Sequence, residues 1–437
     1  MRSKTSRVTR RAAAGAVGVL VAGALLAVPS PGIADGFRAG STTLVSHFPN
    51  GSPADGGHPA ISSDGRYVSF ESNQRLLSTD TDDLYDIYRK DTLTGEMVII
   101  PKVVAGVPHY RDQFHPSISD DGQKIAYLSG TFGNGTFENS GTGVYAIMRD
   151  LAQGTSVLLS RISMSGDSVR LSGDGKWAAL TLEDPESMSI ALDFVDTATG
   201  QFHFFTKICG GCGFGDPAPL SQTGRYVAYR VGGQVYRHDR DADGNSVFDE
   251  KGAGKTSTSL VSVYPDGRNL YSVNPTISAD GRRVGFTATH TWLTGAHAVG
   301  AGLPTVGVYV RDIPSGTTFL ASKTSHVGVP NGALVGQRSS ISADGRLVGF
   351  SSPDPYLVPG DFNPGWDVFV HDLSSSTTHL ASTAYPDGSQ ERSDRMEPAL
   401  SYDGRFVAFQ SADRFGLGNR RIWLKDRSGT CSVICTE

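Results

Sequence analysis

The sequence predicts an all-β fold: a seven-bladed β-propeller of four-stranded antiparallel blades, closed by an N-terminal strand. Three observations predict it: a hairpin signature that occurs seven times, a strand pattern that repeats around each copy, and spacings of about 50 to 65 residues between copies. The clearest copy is Ser-Ala-Asp-Gly-Arg at 342–346. The seven copies begin at Ser62, Ser119, Ser172, Ser221, Ser278, Ser342 and Ser401.

Each copy has the residues of a tight hairpin turn. Glycine adopts the positive φ that such a turn needs, and the aspartate before it accepts hydrogen bonds from nearby N–H groups. A short apolar run precedes the turn, and an alternating run such as 67–70 follows it. Each copy is therefore predicted to join the first and second strands of a blade.

The third and fourth strands also have recurring patterns. Segments 86–91, 308–312 and 367–372 end in aspartate and predict third strands, whereas the Thr/Ser-rich segments 317–322 and 377–382 predict fourth strands. Segment 41–46 resembles a fourth strand but has no blade before it. We expect its residues 42–46 to pair with the last blade, which contains Trp423.

The first 34 residues have the pattern of a secretory signal peptide. Five basic residues precede an apolar run at 12–28, and a small-residue cleavage site follows. An uncleaved membrane anchor is the alternative, but the run is shorter than the ~20 residues that span a bilayer. Arg10-Arg11 leaves twin-arginine export open. The sequence predicts a secreted or extracytoplasmic monomer with one propeller domain at 35–437.

Charge excludes one class of partner. Removing the five basic residues of the signal peptide changes the net charge from −5 to about −10. An acidic secreted protein is expected to bind nucleic acid poorly. After cleavage of the signal peptide, nothing in the sequence predicts membrane attachment.

The hairpin signature resembles the WD-like repeat of TolB-type propellers. The resemblance spans about residues 41–437 and includes a proline near the start of several first strands, at Pro59, Pro116, Pro275 and Pro398. Copies three and four depart from it, with Val169 and Ala218 in place of the proline and Thr223 in place of the turn aspartate. The resemblance implies a propeller fold and, in TolB itself, a periplasmic protein-binding scaffold.

The predicted strand order puts the tight turns on one face of the propeller and the long loops on the other. We call the second the long-loop face, and expect it to bind ligands because loops on a rigid scaffold carry function. Residues just before the first strands mark the channel mouth there, although solvated strand-entry residues would have the same pattern. The ligand-binding candidates are His58, His115, Asn274, Arg338 and Glu397 at the mouth, beside Ser168 and Pro217, and Trp292 and Trp366 in the loops.

Segment 239–250 matches the D-x-D-x-D-G-x5-E pattern of a calcium loop. Carboxylate and amide oxygens at alternate positions converge when a cation neutralises them, and a glycine allows the sharp turn. The predicted ligands are Asp239, Asp241, Asp243, Asn245, Asp249 and Glu250. A merely acidic, solvated turn is the alternative. The loop lies on the tight-turn face, so calcium is predicted to be structural.

The four cysteines suit an oxidising compartment. Cys209 and Cys212 are predicted to lie on a long-loop connection of blade four and to form a local staple, because a redox motif or a zinc site would need a context that is absent from the sequence. Cys431 and Cys435 bond to each other only if the tail curls, since an extended strand holds such residues about 13 Å apart. A plain strand with free thiols is the alternative.

Two functions remain from the sequence. The first is a non-enzymatic scaffold that binds a protein, peptide or glycan on the long-loop face. The second is a polysaccharide lyase or hydrolase that uses the His, Arg and Glu residues of the mouth. Some pectate-fragment lyases resemble this repeat class and hold a metal with clustered histidines. The sequence contains no Gly-x-Ser-x-Gly or His-Glu-x-x-His motif, so the scaffold is favoured.

Overall fold

The computed structural model describes most of the predicted propeller. The described residues are 40–102, 111–130, 132–133, 136–137, 144–160, 168–184, 189–210, 217–263, 269–289, 306–323, 338–359, 361, 365–382, 394–412 and 420–428. The predicted signal peptide, Trp292, Cys212, Cys431 and Cys435 lie outside these residues. The described residues contain no helix long and apolar enough to cross a membrane.

Seven antiparallel sheets form the seven blades in chain order, as predicted. Blade one contains β2 (Gly57–Ile61), β3 (Tyr67–Ser72), β4 (Asp86–Asp91) and β5 (Met97–Ile99). Blade two contains β6 (Asp112–Ile118), β7 (Lys124–Gly130), β10 (Tyr145–Asp150) and β11 (Thr155–Ser160), with a small hairpin of β8 (Phe132–Gly133) and β9 (Thr136–Phe137). Blade three contains β12 (Ser168–Leu171), β13 (Trp177–Asp184), β14 (Ser189–Asp196) and β15 (Phe202–Gly210).

The remaining blades follow the same order. Blade four contains β16 (Tyr226–Val231), β17 (Gln234–Asp239) and β18 (Ser257–Leu260). Blade five contains β19 (Ser272–Ile277), β20 (Arg283–Thr289), β21 (Val306–Asp312) and β22 (Thr317–Leu320). Blade six contains β23 (Ser339–Ile341), β24 (Leu347–Ser352), β25 (Asp367–Asp372) and β26 (Thr377–Leu380). Blade seven contains β27 (Asp394–Leu400), β28 (Phe406–Ala412), β29 (Arg421–Asp426) and β1 (Thr42–Leu44).

Blade four departs from the repeat. Its first-strand position is only an isolated bridge between Leu220 and Val227 in the described residues. A two-residue turn, Gly232-Gly233, joins its next two strands, and both glycines have positive φ. This is the blade in which the proline and the turn aspartate are replaced, so the weaker sequence signal coincides with a shorter sheet.

The hairpin signature forms a closed hydrogen-bond network. In blade one the Ser62 hydroxyl donates to Asp64 Oδ1 at 2.7 Å and accepts the N–H of Tyr67 at 2.9 Å. Asp64 Oδ1 also accepts the N–H of Arg66 at 2.9 Å. Five other blades repeat these bonds. In blade four, Thr223 replaces the aspartate whose Oδ1 accepts two of these bonds. Only the bond from the Tyr226 N–H to the Ser221 hydroxyl remains there.

The turn glycines also allow close packing between blades. Gly122 of blade two has a φ of +69°, and a Cβ added there would lie 2.2 Å from Cδ2 of Tyr67 in blade one. The turn glycines of the other six blades meet side chains of the preceding blade in the same way. Each glycine therefore provides both the turn conformation and the space for its neighbour.

Backbone hydrogen bonds join the seven turns into a ring. Each bond runs from an N–H of one turn to a carbonyl oxygen of the next, at 2.8 to 2.9 Å. The ring closes because the Tyr402 N–H donates to the Ser63 carbonyl. Its donors are Ser63, Asp120, Asp174, Gln222, Ala279, Ala343 and Tyr402.

The N-terminal strand closes the propeller as predicted. β1 pairs antiparallel with β29, with Leu44 opposite Trp423. Beyond it, the Ser46 hydroxyl accepts the N–H of Ile422 at 2.9 Å, and the Val45 side chain is buried in the core between blades seven and one. The first and last parts of the described chain therefore complete one sheet.

Candidate functional site

A cavity of about 260 Å³ lies at the centre of the propeller, among the starts of the first strands. Five predicted mouth residues line it, together with Pro217 and with Arg170, which we did not predict. The polar and charged lining includes His58, His115, Arg170, Asn274, Arg338 and Glu397. Ser168 is instead buried, and its hydroxyl bonds Thr181 at 2.9 Å. The first strands of different blades thus bring together residues that are far apart in the sequence, such as His58 and Glu397, which are 339 positions apart.

Four lining residues have a strained backbone at equivalent places in the repeat. His58, His115, Asn274 and Glu397 have φ values of 50°, 51°, 52° and 57°, and each precedes a proline. The strand register shifts at each of these positions, as in a β-bulge. A non-glycine residue in the left-handed region costs about 1–2 kcal/mol. Bulges redirect side chains next to functional sites, so this repeated strain marks the cavity as a candidate site.

Arg170 enters the cavity from blade three, where Val169 stands in place of the proline. β12 and β13 pair without a register shift there. The Arg170 Nη1 donates to the Val169 carbonyl at 2.8 Å. Burial and nearby Arg338 together lower the pKa of Arg170 to about 10, although Glu397 opposes the change. No carboxylate of the described residues lies within 4.0 Å of its guanidinium, so this cation has no ion-pair partner there.

Glu71 of β3 contacts His58 and His115, and the sequence analysis did not predict Glu71 as a site residue. Its Oε1 lies 2.7 Å from His58 Nδ1, and its Oε2 accepts the backbone N–H of His115 at 2.9 Å. Burial acts to raise the pKa of Glu71, but the two histidines outweigh it and the pKa falls to about 2. The available signal was an acidic residue within a strand that is otherwise buried.

The pKa values of the two histidines are shifted in opposite directions. Their rings meet edge to face with centroids 4.4 Å apart. Burial acts to lower the pKa of His58, but Glu71 and Glu397 outweigh it and raise the pKa above its usual value. Burial and the neighbouring His58 lower the pKa of His115 to about 3. Protonation therefore favours His58, and His115 is neutral at physiological pH.

Glu397 lies opposite these cations but is loosely held. Its Oε1 is 3.5 Å from Arg338 Nη1 and 3.7 Å from His58 Nε2. Both distances exceed a good charge-assisted hydrogen bond. The buried Oε2 has no hydrogen-bond partner in the described part of the chain. The carboxylate thus retains unused acceptor capacity at the edge of the cavity.

Two groups of described residues place at least three metal-ligating atoms within 4.8 Å of one another. The first is His58, Glu71 and His115, whose mixed imidazole and carboxylate donors suit a divalent transition metal. The second is acidic, Asp80, Asp82 and Asp86. In the second group the Lys102 Nζ lies 2.6 Å from Asp82 Oδ1 and 2.9 Å from Asp86 Oδ2, so its ammonium already provides a cation.

The predicted calcium loop lies between β17 and β18, and part of its geometry fits an ion site. Gly244 has a φ of +72°, which gives the sharp turn. Both oxygens of Asp241 face back into the loop and accept the N–H groups of Asn245 and Ser246 at 2.9 and 3.1 Å. Asp239 instead forms a two-point pair with Arg225, at 2.8 and 3.0 Å.

Basic side chains neutralise the rest of this loop. Lys255 Nζ lies 2.7 Å from Asp243 Oδ2 and 3.2 Å from Glu250 Oε2. The fully buried Arg240 pairs with Asp249 at 2.6 Å and lies over aromatic rings. In the described residues these carboxylates do not form a group of three within 4.8 Å. A calcium ion would have to draw them together and displace Lys255, and calcium binding stays a prediction.

The remaining candidates lie away from the cavity or outside the described residues. Trp366 is half-buried, and it does not line the cavity described above. The Cys209 backbone belongs to β15 of blade three and pairs with Ile190, whereas we expected a loop connection of blade four. The disulfide predictions otherwise concern residues that are not described, and they stay predictions.

Comparison with solved structures gives matches to other propellers. An oligogalacturonate lyase in complex with manganese has a TM-score of 0.51 and 12% identity, over 89% of this chain and 98% of that chain. An oligogalacturonate lyase from Vibrio parahaemolyticus has a TM-score of 0.51 and 12% identity, over 89% of this chain and 95% of that chain. TolB from Acinetobacter baumannii has a TM-score of 0.38 and 15% identity, over 79% of this chain and 60% of that chain. The chain thus spans less than two thirds of that TolB.

Other comparisons add no family. No protein-family model matches the chain, and no curated protein sequence matches it. At these low identities the structural matches concern the fold alone. The protein is a seven-bladed β-propeller, as its repeats predicted, and TolB is among the solved structures to which it is similar.

Proposed function

We propose that this protein is an exported, non-enzymatic binding propeller that holds a carboxylate group of its ligand at the channel mouth. The ligand is a glycan, peptide or protein that approaches the long-loop face. One observation carries the proposal: Arg170 projects a cation into the cavity without an ion-pair partner among the described residues. Arg170 is half-buried, and desolvated charges are otherwise paired in proteins because desolvation makes an unpaired charge costly.

The charges around the cavity favour an anion. Arg170 and Arg338 balance Glu71 and Glu397, and protonation of His58, whose pKa is raised, adds a positive charge. The planar guanidinium of arginine matches the two oxygens of a carboxylate. A ligand carboxylate beside Arg170 would therefore neutralise the site and complete the hydrogen bonds of this guanidinium.

A polysaccharide lyase or hydrolase is the second candidate. The group of His58, Glu71 and His115 favours it, because these residues are able to hold a divalent metal, and because one structurally similar protein is an oligogalacturonate lyase in complex with manganese. A metal there would act as a Lewis acid toward a substrate carboxylate. Glu71 would orient His58 through its short contact with Nδ1.

Ligand binding by the mature protein tests the first candidate. Calorimetric titration with acidic oligosaccharides and acidic peptides, each compared with a neutral analogue, should show binding of the acidic member only. Arg170→Met should abolish that binding. Arg75→Met is the matched control, since Arg75 is an exposed arginine paired with Asp83 on a loop of the same face. If no carboxylate ligand binds, or if both variants lose binding equally, the proposal is wrong.

A parallel assay tests the enzyme. The mature protein with manganese is incubated with oligogalacturonate, and the ultraviolet absorbance of unsaturated product is followed. If the protein turns over the substrate, and if a chelator abolishes this turnover and manganese restores it, the protein is a lyase and the scaffold proposal is wrong. Binding without turnover, with and without manganese, supports the scaffold.

A further inference from the structure

The cavity is large enough for one residue of a ligand. Its volume of about 260 Å³ is below the ~300–1,000 Å³ of sites that bury a whole drug-sized molecule. Its walls include prolines from several blades, among them Pro59, Pro116 and Pro398, which form rigid apolar surfaces. A single ring or chain end fits this space, and a compact ring has an apolar face that suits the prolines.

Two opposite chemical requirements meet in this space. Arg170 requires an anion. Glu397 requires a hydrogen-bond donor, because its carboxylate makes no hydrogen bond to a described residue and its nearest cations lie 3.5 and 3.7 Å away. An acceptor left without a donor loses free energy, so a complementary ligand supplies one. Because Arg170 and Glu397 line the same cavity, one ligand residue that carries both a carboxylate and a hydrogen-bond donor would satisfy both.

We propose, on the basis of the proposed function, that the residue bound in the cavity is a single uronic acid, as a monomer or at the end of an acidic oligosaccharide. A pyranose ring places a carboxylate and hydroxyl groups on one rigid frame, so one residue meets Arg170 and Glu397 together. Its ring face packs on the proline walls. A peptide C-terminus offers a carboxylate with only one amide N–H and no ring, so it meets these requirements less completely.

A competition series tests this assignment with the mature protein. The ligands are galacturonate, its methyl ester, galactose, tetrahydropyran-2-carboxylate (a ring acid without hydroxyl groups) and acetylglycine as a peptide-end analogue. We expect galacturonate to bind at least tenfold more tightly than each of the others. For the ring acid this difference corresponds to about 1.4 kcal/mol from the hydroxyl contacts.

Two variants of Glu397 separate its role from folding. Asparagine tolerates the left-handed backbone that residue 397 adopts, so Glu397→Asn shortens the acceptor without added strain. This variant should bind galacturonate and the ring acid equally, whereas Glu397→Gln, which keeps an acceptor oxygen in place, should retain part of the preference. Thermal unfolding of both variants checks that they fold.

The outcomes distinguish this inference from the function on which it rests. Equal binding of galacturonate, the ring acid and acetylglycine by the wild type would overturn the uronic acid assignment and leave carboxylate binding intact. If acetylglycine binds more tightly than galacturonate, the ligand of the cavity is a peptide C-terminus and not a uronic acid. If none of the carboxylates binds, both the assignment and the proposed function fail.

Discussion

Replacing Arg170 by methionine should stabilise the free protein and abolish its ligand binding. The pKa of about 10 lies well below that of an ordinary arginine, so the charged side chain loses up to about 3 kcal/mol in the fold. This penalty persists at every pH below about 10, because the guanidinium is charged there. Methionine removes the penalty but also loses the bond to the Val169 carbonyl, a charge-assisted bond of about 1.5–3 kcal/mol. The net gain is about 1 kcal/mol.

The expected melting shift is small because the domain is large. Unfolding entropy near 2.1 cal/mol/K per residue converts this gain into a rise of about 1–2 °C. A carboxylate ligand at 100 times its Kd adds about 2.7 kcal/mol to the wild type and nothing to the variant. Scanning calorimetry at pH 7 with and without ligand should therefore show the variant melting higher alone and the wild type melting higher with ligand. A variant that melts lower alone and still responds to ligand would refute the reasoning.

Four other predictions concern the scaffold and its ions. Gly122→Ala should cost about 1–3 kcal/mol more than Gly95→Ala in urea unfolding, because both glycines have positive φ but only Gly122 is contacted by the preceding blade; equal costs would contradict this. His115→Asn should lose less stability than the wild type between pH 6 and pH 4, where unfolded His115 takes up a proton that the folded residue, with its pKa of about 3, does not; parallel stability curves would show that the histidine is not buried in its neutral form. Calcium should raise the melting temperature, more in Lys255→Met and not in Asp243→Asn, because Lys255 competes for the same carboxylates; an equal rise in Asp243→Asn would place calcium elsewhere. Peptide mapping without reduction should link the cysteines within 209–212, and a link to the C-terminal pair would overturn that prediction.

The propeller could be predicted because each of its hairpins is specified by residues that are close together in the sequence. Each Ser-x-Asp-Gly turn forms its own hydrogen bonds within six residues, so its six copies, with the Ser-x-Thr-Gly variant of blade four, predict seven hairpins. His58, His115, Asn274 and Glu397 could be predicted because the proline that follows each of them repeats in register with those turns. Arg338 stands at the same place in the repeat, although Ser339 follows it. Where the proline is replaced, at Val169, the rule selected Ser168 in place of Arg170.

The contacts between blades could not be predicted in the same way. Glu71 accepts the backbone N–H of His115 in the next blade, 44 positions away, and no local sequence pattern predicts that contact. In loop 239–250 the sequence shows the acidic pattern but not its counterions. Arg225 lies before the loop and Lys255 after it, and only the folded sheet brings them to its carboxylates.

A crystal structure of the mature protein with bound galacturonate tests the central claim most directly. We expect the carboxylate between Arg170 and Arg338 and a ring hydroxyl on Glu397, within the cavity of the first strands. Arg170→Met crystals soaked in the same way should show no sugar there. Sugar bound only on the outer loops or on the tight-turn face, with the cavity unchanged, would contradict the account.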